Sequence, residues 1–250
     1  MGAALHRLPS PVPFNVPALN YHKVAEIPPG VRHPENYVRP TQFRSQLRLL
    51  RAAGYDSITV SDYLAYRRGA RELPRKPVML TFDDGYRSNY DIALPIVREH
   101  AFTATVFLVS GMIGATNAWD TDEDQEPLLD VNEIRELQGD GIEFQSHTRT
   151  HASLTAVSDK QALDEMKGSK VDLEQLLGKS VEAIAYPWSR CDSRVENLAE
   201  EAGYSGGAIV RRRVNFDSTP LFGIRRIGIS YTTSRARFAW DLFRLRWRGD

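Results

Sequence analysis

The sequence predicts an α/β protein built as a barrel of parallel strands and covering helices, one unit short of the usual eight. Three observations carry this. Strand-like and helix-like segments alternate about seven times along the chain, the pattern of consecutive βαβ units. Several strand segments are short unbroken apolar runs, such as Val78-Met79-Leu80 and Val106-Phe107-Leu108, which suits strands covered on both faces. Residues with chemistry to offer recur just after these runs, at C-terminal strand ends, where the working rim of such a barrel lies. A doubly wound open sheet has the same alternation and is the competing arrangement. The chain has 250 residues, 42% of them hydrophobic, enough for one sizeable core rather than two small ones. Residues 1–17, with Pro9, Pro11 and Pro13, read as an irregular arm, and 18–250 as the single barrel domain.

Composition narrows the function classes. Lys plus Arg is 32 and Asp plus Glu is 32, so the formal net charge is zero. A general nucleic-acid binder would carry a basic excess, and no nucleic-acid partner is expected. The one cysteine, Cys191, excludes an intramolecular disulfide and a cysteine-rich zinc site. No apolar run approaches the roughly 20 residues of a membrane span. The first residues lack the continuous apolar stretch of roughly 7–15 that marks a signal peptide. The expectation is therefore a cytoplasmic protein, or an exported one shown without its signal. Nothing in the sequence specifies an oligomeric state.

Taken in order, Pro17–Val24 reads as the first strand, with His22 near its end. Residues 25–40 hold Pro28, Pro29, Gly30, Pro34 and Pro40 and read as a long loop, a feature often functional in a compact domain. A helix follows with Thr41 as N-cap and Gly54 closing it. Ser57–Val60 is the second strand, and Ser61 and Asp62 open the next helix. The third strand ends in the pair Asp83-Asp84. Tyr90–His100 is helical, and Pro95 within it must start or kink the helix. Thr103–Val109 is the fourth strand. Residues 112–130 are the least regular part and carry Trp119 and six acids; a charge run of this kind usually faces water. Asp130 caps the helix through Leu137, and Ile142–Ser146 is the fifth strand with His147 at its end. Ser158 opens a long amphipathic helix to about Leu177, with Leu163, Met166, Val171, Leu173 and Leu176 inward and Gly178 closing it. Val181–Tyr186, Gly206–Val210 and Ile224–Ser230 complete the strands, and Ser193–Ala202 the intervening helix. The tail 235–248 is helical, with Phe238, Trp240, Leu242, Phe243, Leu245 and Trp247 among arginines, and reads as packed on the barrel.

Three clusters concentrate chemistry. In Thr81-Phe82-Asp83-Asp84-Gly85-Tyr86, two adjacent carboxylates end a buried strand. They repel unless a cation or proton intervenes, so one metal ligand and one general base is a natural division of labour. An Asx-type turn capping the next helix uses the same residues. Next, His147 and His151 stand four residues apart directly after a strand, and imidazole nitrogen suits zinc and related divalent ions. One carboxylate and two histidines make three protein ligands and leave an open position. Finally, Ala185-Tyr186-Pro187-Trp188 ends the sixth strand, where a backbone N–H can turn into the rim as an oxyanion donor.

These three motifs, in this order, resemble those of the polysaccharide deacetylases, the NodB-homology or carbohydrate esterase family 4 group. The resemblance runs from about Asn20 to Ile229. The opening Tyr21-His22-Lys23-Val24 and Ala185-Tyr186-Pro187 are most similar to the poly-N-acetylglucosamine deacetylase branch. The resemblance implies a distorted (β/α)7-type, TIM-like barrel and hydrolytic removal of acetyl groups from an N-acetylated amino sugar or polysaccharide. It makes Asp83 the general base and Asp84, His147 and His151 the holders of a divalent metal, zinc first, cobalt or nickel as alternatives. Trp188 supplies the oxyanion N–H. Tyr86, Tyr186 and Pro187 become substrate-side residues, with Trp119 stacking on a sugar from the acidic segment. The chain departs from the family in two places. Many members carry a late Leu-x-His that supplies the general acid, and no histidine occurs here after His151; His22 is the best substitute. Many also carry an arginine two before the motif proline that holds the catalytic aspartate. Ala185 stands there, and Arg190 is the candidate replacement. These gaps leave two other readings open: a hydrolase of another non-peptide C–N bond, such as an amide or cyclic imide, or a weakly active carbohydrate-binding homologue.

Overall fold

The structure is a computed structural model that describes residues 15–122 and 125–247; most of the arm expected at 1–17 lies outside the described residues. The strands among these are β1 (Ala18–Tyr21), β2 (Lys23–Val24), β3 (Tyr37–Val38), β4 (Asp56–Ile58), β5 (Pro77–Phe82), β6 (Thr105–Leu108), β7 (Glu143–Ser146), β8 (Ala183–Ala185), β9 (Gly206–Val210) and β10 (Ile224–Gly228). The helices are α1 (Pro40–Ala52), α2 (Val60–Arg67), α3 (Leu94–Glu99), α4 (Val131–Gly139), α5 (Asp159–Leu177), α6 (Ser193–Glu201) and α7 (Arg235–Trp247).

Seven parallel strands form a closed ring, β5 through β10 in order with β1 pairing both β10 and β5. That closure rules out the open sheet. β4 pairs only with Pro77–Met79 at the start of β5, whereas β6 meets its end at Thr81 and Phe82; this splayed join is the distortion in the barrel. Side chains alternate across a strand, and the alternation builds the interior. Ala18, Met79, Phe107, Ala183, Ala185, Ala208 and Ile224 pack together inside. Residues on the opposite face of the strands, including Leu19, Leu80, Val106, Ile184 and Ile227, join the cluster shared with the helices. The alanines on β8 and β9 leave room in the narrow interior for Phe107 and for the side chain of Arg226, whose guanidinium carbon lies 5.0 Å from the Phe107 ring centroid.

Local chemistry sets most boundaries. Asp130 and Ser158 cap α4 and α5 through reciprocal capping boxes with Glu133 and Gln161. Gly178 ends α5 in the left-handed conformation at φ 62°. A π-turn at Asn89–Ala93 runs into α3, with Pro95 in its first turn, where a missing N–H costs nothing. Several expectations need correction. α1 begins at Pro40, not behind a Thr41 cap; Arg39 holds the cap position with no side-chain capping hydrogen bond, and proline at N1 presets the helix. Thr59 caps α2 through a box with Asp62, ahead of the expected Ser61 start. Val171 is 50% exposed rather than inward, while Met166 and Leu173 are fully buried. The first strand is broken: β1 leaves the barrel after Tyr21, and Lys23–Val24 pairs with Tyr37–Val38 inside the presumed loop. In α7, Phe238 and Leu242 are buried and Trp240 is 60% exposed. The expected packing of Phe243, Leu245 and Trp247 lies outside the described side chains.

Candidate active site

The site forms where β1, β5, β7 and β8 end. In a continuing strand only one of Asp83 and Asp84 would face the barrel mouth. Asp84 instead takes a left-handed turn, φ 72°, with Gly85 following at φ 77°. Both carboxylates are thereby delivered to the same buried place, at 3% and 5% exposure. The positive φ favours glycine at 85, and a Cβ there would lie 2.6 Å from Leu108 Cδ2, so that side chain would have to shift. Thr148, His151, Trp188 and Ser189 have positive φ as well, and Ala101 is the one other such non-glycine residue among those described. Backbone strain of about 1–3 kcal/mol per residue is thus concentrated at one mouth, as it is at functional sites.

Asp84, His147 and His151 converge there, with one potential ligand atom from each lying within 4.8 Å of the others. His147 Nδ1 donates to the carbonyl oxygen of Ala185 at 2.8 Å. Its Nε2 therefore presents a lone pair towards Asp84 Oδ1, 3.3 Å away, and His151 Nε2 stands 3.4 Å from the same oxygen. That oxygen is buried and has no hydrogen-bond donor among the described residues. Three acceptor atoms aimed at one another need a cation between them, and an Asp-His-His set with open positions suits a divalent ion of the zinc type. The residues present fit the metal that the sequence led us to expect.

Asp83 is held differently. The buried Arg226 guanidinium grips it through Nη1 to Oδ1 at 2.5 Å and Nη2 to Oδ2 at 2.9 Å. Asn20 Nδ2 donates to Oδ2 at 3.1 Å, and Asn20 Oδ1 in turn accepts from Arg226 Nη1 at 2.8 Å. Thr81 donates its hydroxyl to the Leu19 carbonyl at 2.9 Å, which fixes the floor of this network. Burial alone would raise the Asp83 pKa. The Arg226 charge outweighs it and holds the carboxyl below its ordinary range. The stability that this pairing contributes is complete above the unfolded carboxylate pKa of about 4. It is lost as pH falls through the depressed folded-state value.

The arginine that holds Asp83 is Arg226, which no local motif marks, and not the expected Arg190. Arg190 is exposed, donates to Ser153 Oγ at 3.3 Å and lies over the Trp188 ring; it does not reach Asp83. The absent arginine at Ala185 is thus made good from β10, two strands round the barrel from β8. One signal was available: of the two arginines in β10, Arg226 shares a strand face with the buried Ile224.

A cavity of about 250 Å3 covers the site. His22, Asp83, Asp84, His147, His151, Tyr186, Trp188 and Trp119 all line it, joined by Asn36, Asp120, Ser189 and Val210. His22, at the break between β1 and β2, places Nε2 3.9 Å from Asp83 Oδ2 with its side chain 27% exposed. Trp188 is 49% exposed. The Trp119 ring stacks on His151, with centroids 4.5 Å apart, so one of its faces is already taken. Tyr86 and Pro187 are not part of this lining. Tyr86 is buried with its ring 4.5 Å from the Lys23 ammonium, and Pro187 is the buried start of the turn that carries Trp188. Tyr186 presents little surface; its hydroxyl lies where a Cβ on residue 207 would be, 2.1 Å away, so Gly207 is required beside it. The acidic segment is not a freely solvated loop. Glu126 accepts from Lys23 Nζ at 2.7 Å, and Lys23 is fully buried. Burial pushes the Cys191 thiol up to about 12, so it supplies no thiolate nucleophile near neutral pH.

A carboxylate pair divided between a two-histidine ligand set and an arginine clamp, at the C-terminal mouth of a parallel barrel, defines a metal-assisted hydrolase. A family model for polysaccharide deacetylases matches residues 70–207, and the chain belongs to that family. It is 25% identical over 226 residues to the putative polysaccharide deacetylase YxkH of Bacillus subtilis, spanning 90% of this chain and 75% of that one. It is 26% identical over 232 residues to a poly-beta-1,6-N-acetyl-D-glucosamine N-deacetylase of Staphylococcus epidermidis, spanning 85% and 78%. Among solved structures, a polysaccharide deacetylase from Bacillus cereus superposes with a TM-score of 0.78 at 28% identity, over 92% of this chain and 69% of that one. The Streptococcus pyogenes deacetylase PplD, solved with acetate, shares the fold with a TM-score of 0.80 at 24% identity, over 95% and 100%.

Proposed function

We propose that the protein hydrolyses the acetamide of N-acetylglucosamine residues in a polysaccharide, releasing acetate and leaving a free amine. The β-1,6-linked polymer, named for the staphylococcal relatives, is the first substrate to try. The observation that carries the reading is the Asp83 carboxylate, kept charged by Arg226 beside the Asp84–His147–His151 cluster. A mere metal cage has no use for a second, separately clamped carboxylate. A divalent ion, zinc by the donor set, would supply Lewis acidity at the amide oxygen and make water a better nucleophile near neutral pH. Asp83 takes the proton of the attacking water. The carbonyl oxygen becomes an oxyanion, and the backbone N–H of Trp188, a residue of the cavity lining, is the donor assigned to it. His22 then hands a proton to the departing amine, which is too basic to leave as an anion. Arg226 and His22 supply the arginine and the acid whose usual positions are vacant in the sequence, which weakens the case for a binding-only homologue.

The test is release of acetate and of primary amine, in equal amounts, from β-1,6-linked N-acetylglucosamine oligomers, with chitin oligomers and a cyclic imide alongside. Turnover of the imide alone would contradict the proposal. His22→Gln is expected to lower kcat by about 10²–10⁴-fold, the usual weight of a general acid. An unchanged kcat would remove His22 from the role.

A further inference from the structure

The two histidines of the cluster are held in unlike ways. Metal-ligating histidines ordinarily donate their second ring N–H to an acceptor that fixes ring orientation and tautomer. His147 does so, to Ala185. His151 does not: its Nδ1 is buried and has no hydrogen-bond partner among the described residues. Its backbone is also in the left-handed region, at φ 62°, so the ring depends on its surroundings for orientation. Those surroundings are aromatic. Trp119 stacks on the imidazole with centroids 4.5 Å apart and planes 26° from parallel. Trp188 meets it edge-on, with centroids 4.4 Å apart at 67°.

We propose that Trp119 is a positioning residue for His151, and that the rim segment carrying it is thereby coupled to metal affinity. The indole restricts the ring by stacking where His147 uses a hydrogen bond. The segment is itself anchored. Lys23 Nζ donates to Glu126 Oε1 at 2.7 Å. The Glu126 N–H donates to Asn117 Oδ1 at 2.6 Å, and Asn117 Nδ2 donates to Asp120 Oδ2 at 3.1 Å. A chain of contacts therefore runs from a buried ammonium to the residue beside Trp119, with no member of it a ligand. Binding coupled in this way is reciprocal: what the segment contributes to the metal, the metal contributes to the segment.

The inference rests on the assignment of the three ligands and not on the substrate, and its readout is zinc affinity by chelator competition on the whole protein. Trp119→Ala is expected to weaken zinc by about tenfold or more, the scale of a lost outer-shell partner. Trp119→Phe, which keeps a stacking ring, is expected to stay within about threefold of wild type. Lys23→Met leaves every ligand in place and is expected to weaken zinc in the same direction as the alanine variant, which keeps the test open should Trp119→Ala fail to fold. Wild-type affinity in Lys23→Met together with either Trp119 variant behaving contrary to these expectations overturns the inference. Zinc binding with this pattern but no acetate release would refute the proposed function and leave the inference standing.

Discussion

Asp83→Asn is expected to lower kcat/KM for acetate release by about 10²–10⁴-fold, the weight of a general base, while the protein retains its full metal content. The two effects separate because the carboxylates have separate duties. Asp84 Oδ1 faces His147 and His151, whereas both oxygens of Asp83 are engaged by Arg226 and Asn20. Asparagine keeps the shape and can still meet the guanidinium through its carbonyl oxygen, but it cannot accept a proton from water. Elemental analysis beside an acetate assay checks both halves. Loss of metal together with activity would mean that Asp83 is a ligand, and the division of roles would be wrong.

The second large effect is expected at Arg226. Arg226→Ala leaves Asp83 buried without its counter-charge, and breaking a buried pair from one side costs about 3–5 kcal/mol, readable in a denaturant melt. The activity change carries a signature beyond instability. With the guanidinium gone, burial dominates the Asp83 carboxyl and its pKa rises. The base is then protonated at a higher pH, so the acid limb of kcat/KM moves to higher pH than in the wild type. Arg226→Lys restores the charge but not the two-pronged geometry, and is expected to fall between the two. An acid limb unmoved in both variants would reduce Arg226 to a structural part of the barrel.

Much of this site is legible in the sequence because its ligands lie in local motifs. Asp83 and Asp84 are adjacent, and His147 and His151 are four apart; each group follows a strand whose apolar run identifies it. The caps Asp130 and Ser158 and the strand Gly206–Val210 are equally local, and the structure places them where the pattern does. Arg226 is not legible in that way. It meets Asp83 across a sequence separation of 143 residues, and its inward direction is settled only when β10 closes against β1 in the register that sets Asn20 opposite Gly228. Two-residue strands are too short for any periodicity to register, so the Lys23–Val24 and Tyr37–Val38 pair, and the break that frees His22, stay hidden in a proline-rich stretch. An aromatic residue in an irregular acidic segment, Trp119 offers no hint in the sequence of the imidazole beneath it; that contact is set by the fold of the rim.

The central claim is that acetate release depends on a divalent ion held by Asp84, His147 and His151. The direct measurement is a titration of chelator-stripped protein with zinc, following acetate released from N-acetylglucosamine oligomers. The account predicts negligible release from the stripped protein, a rise with added zinc to a plateau at about one ion per chain, and no recovery in His147→Ala. Undiminished release from the metal-free protein, or full recovery of His147→Ala at the same zinc level, would contradict it.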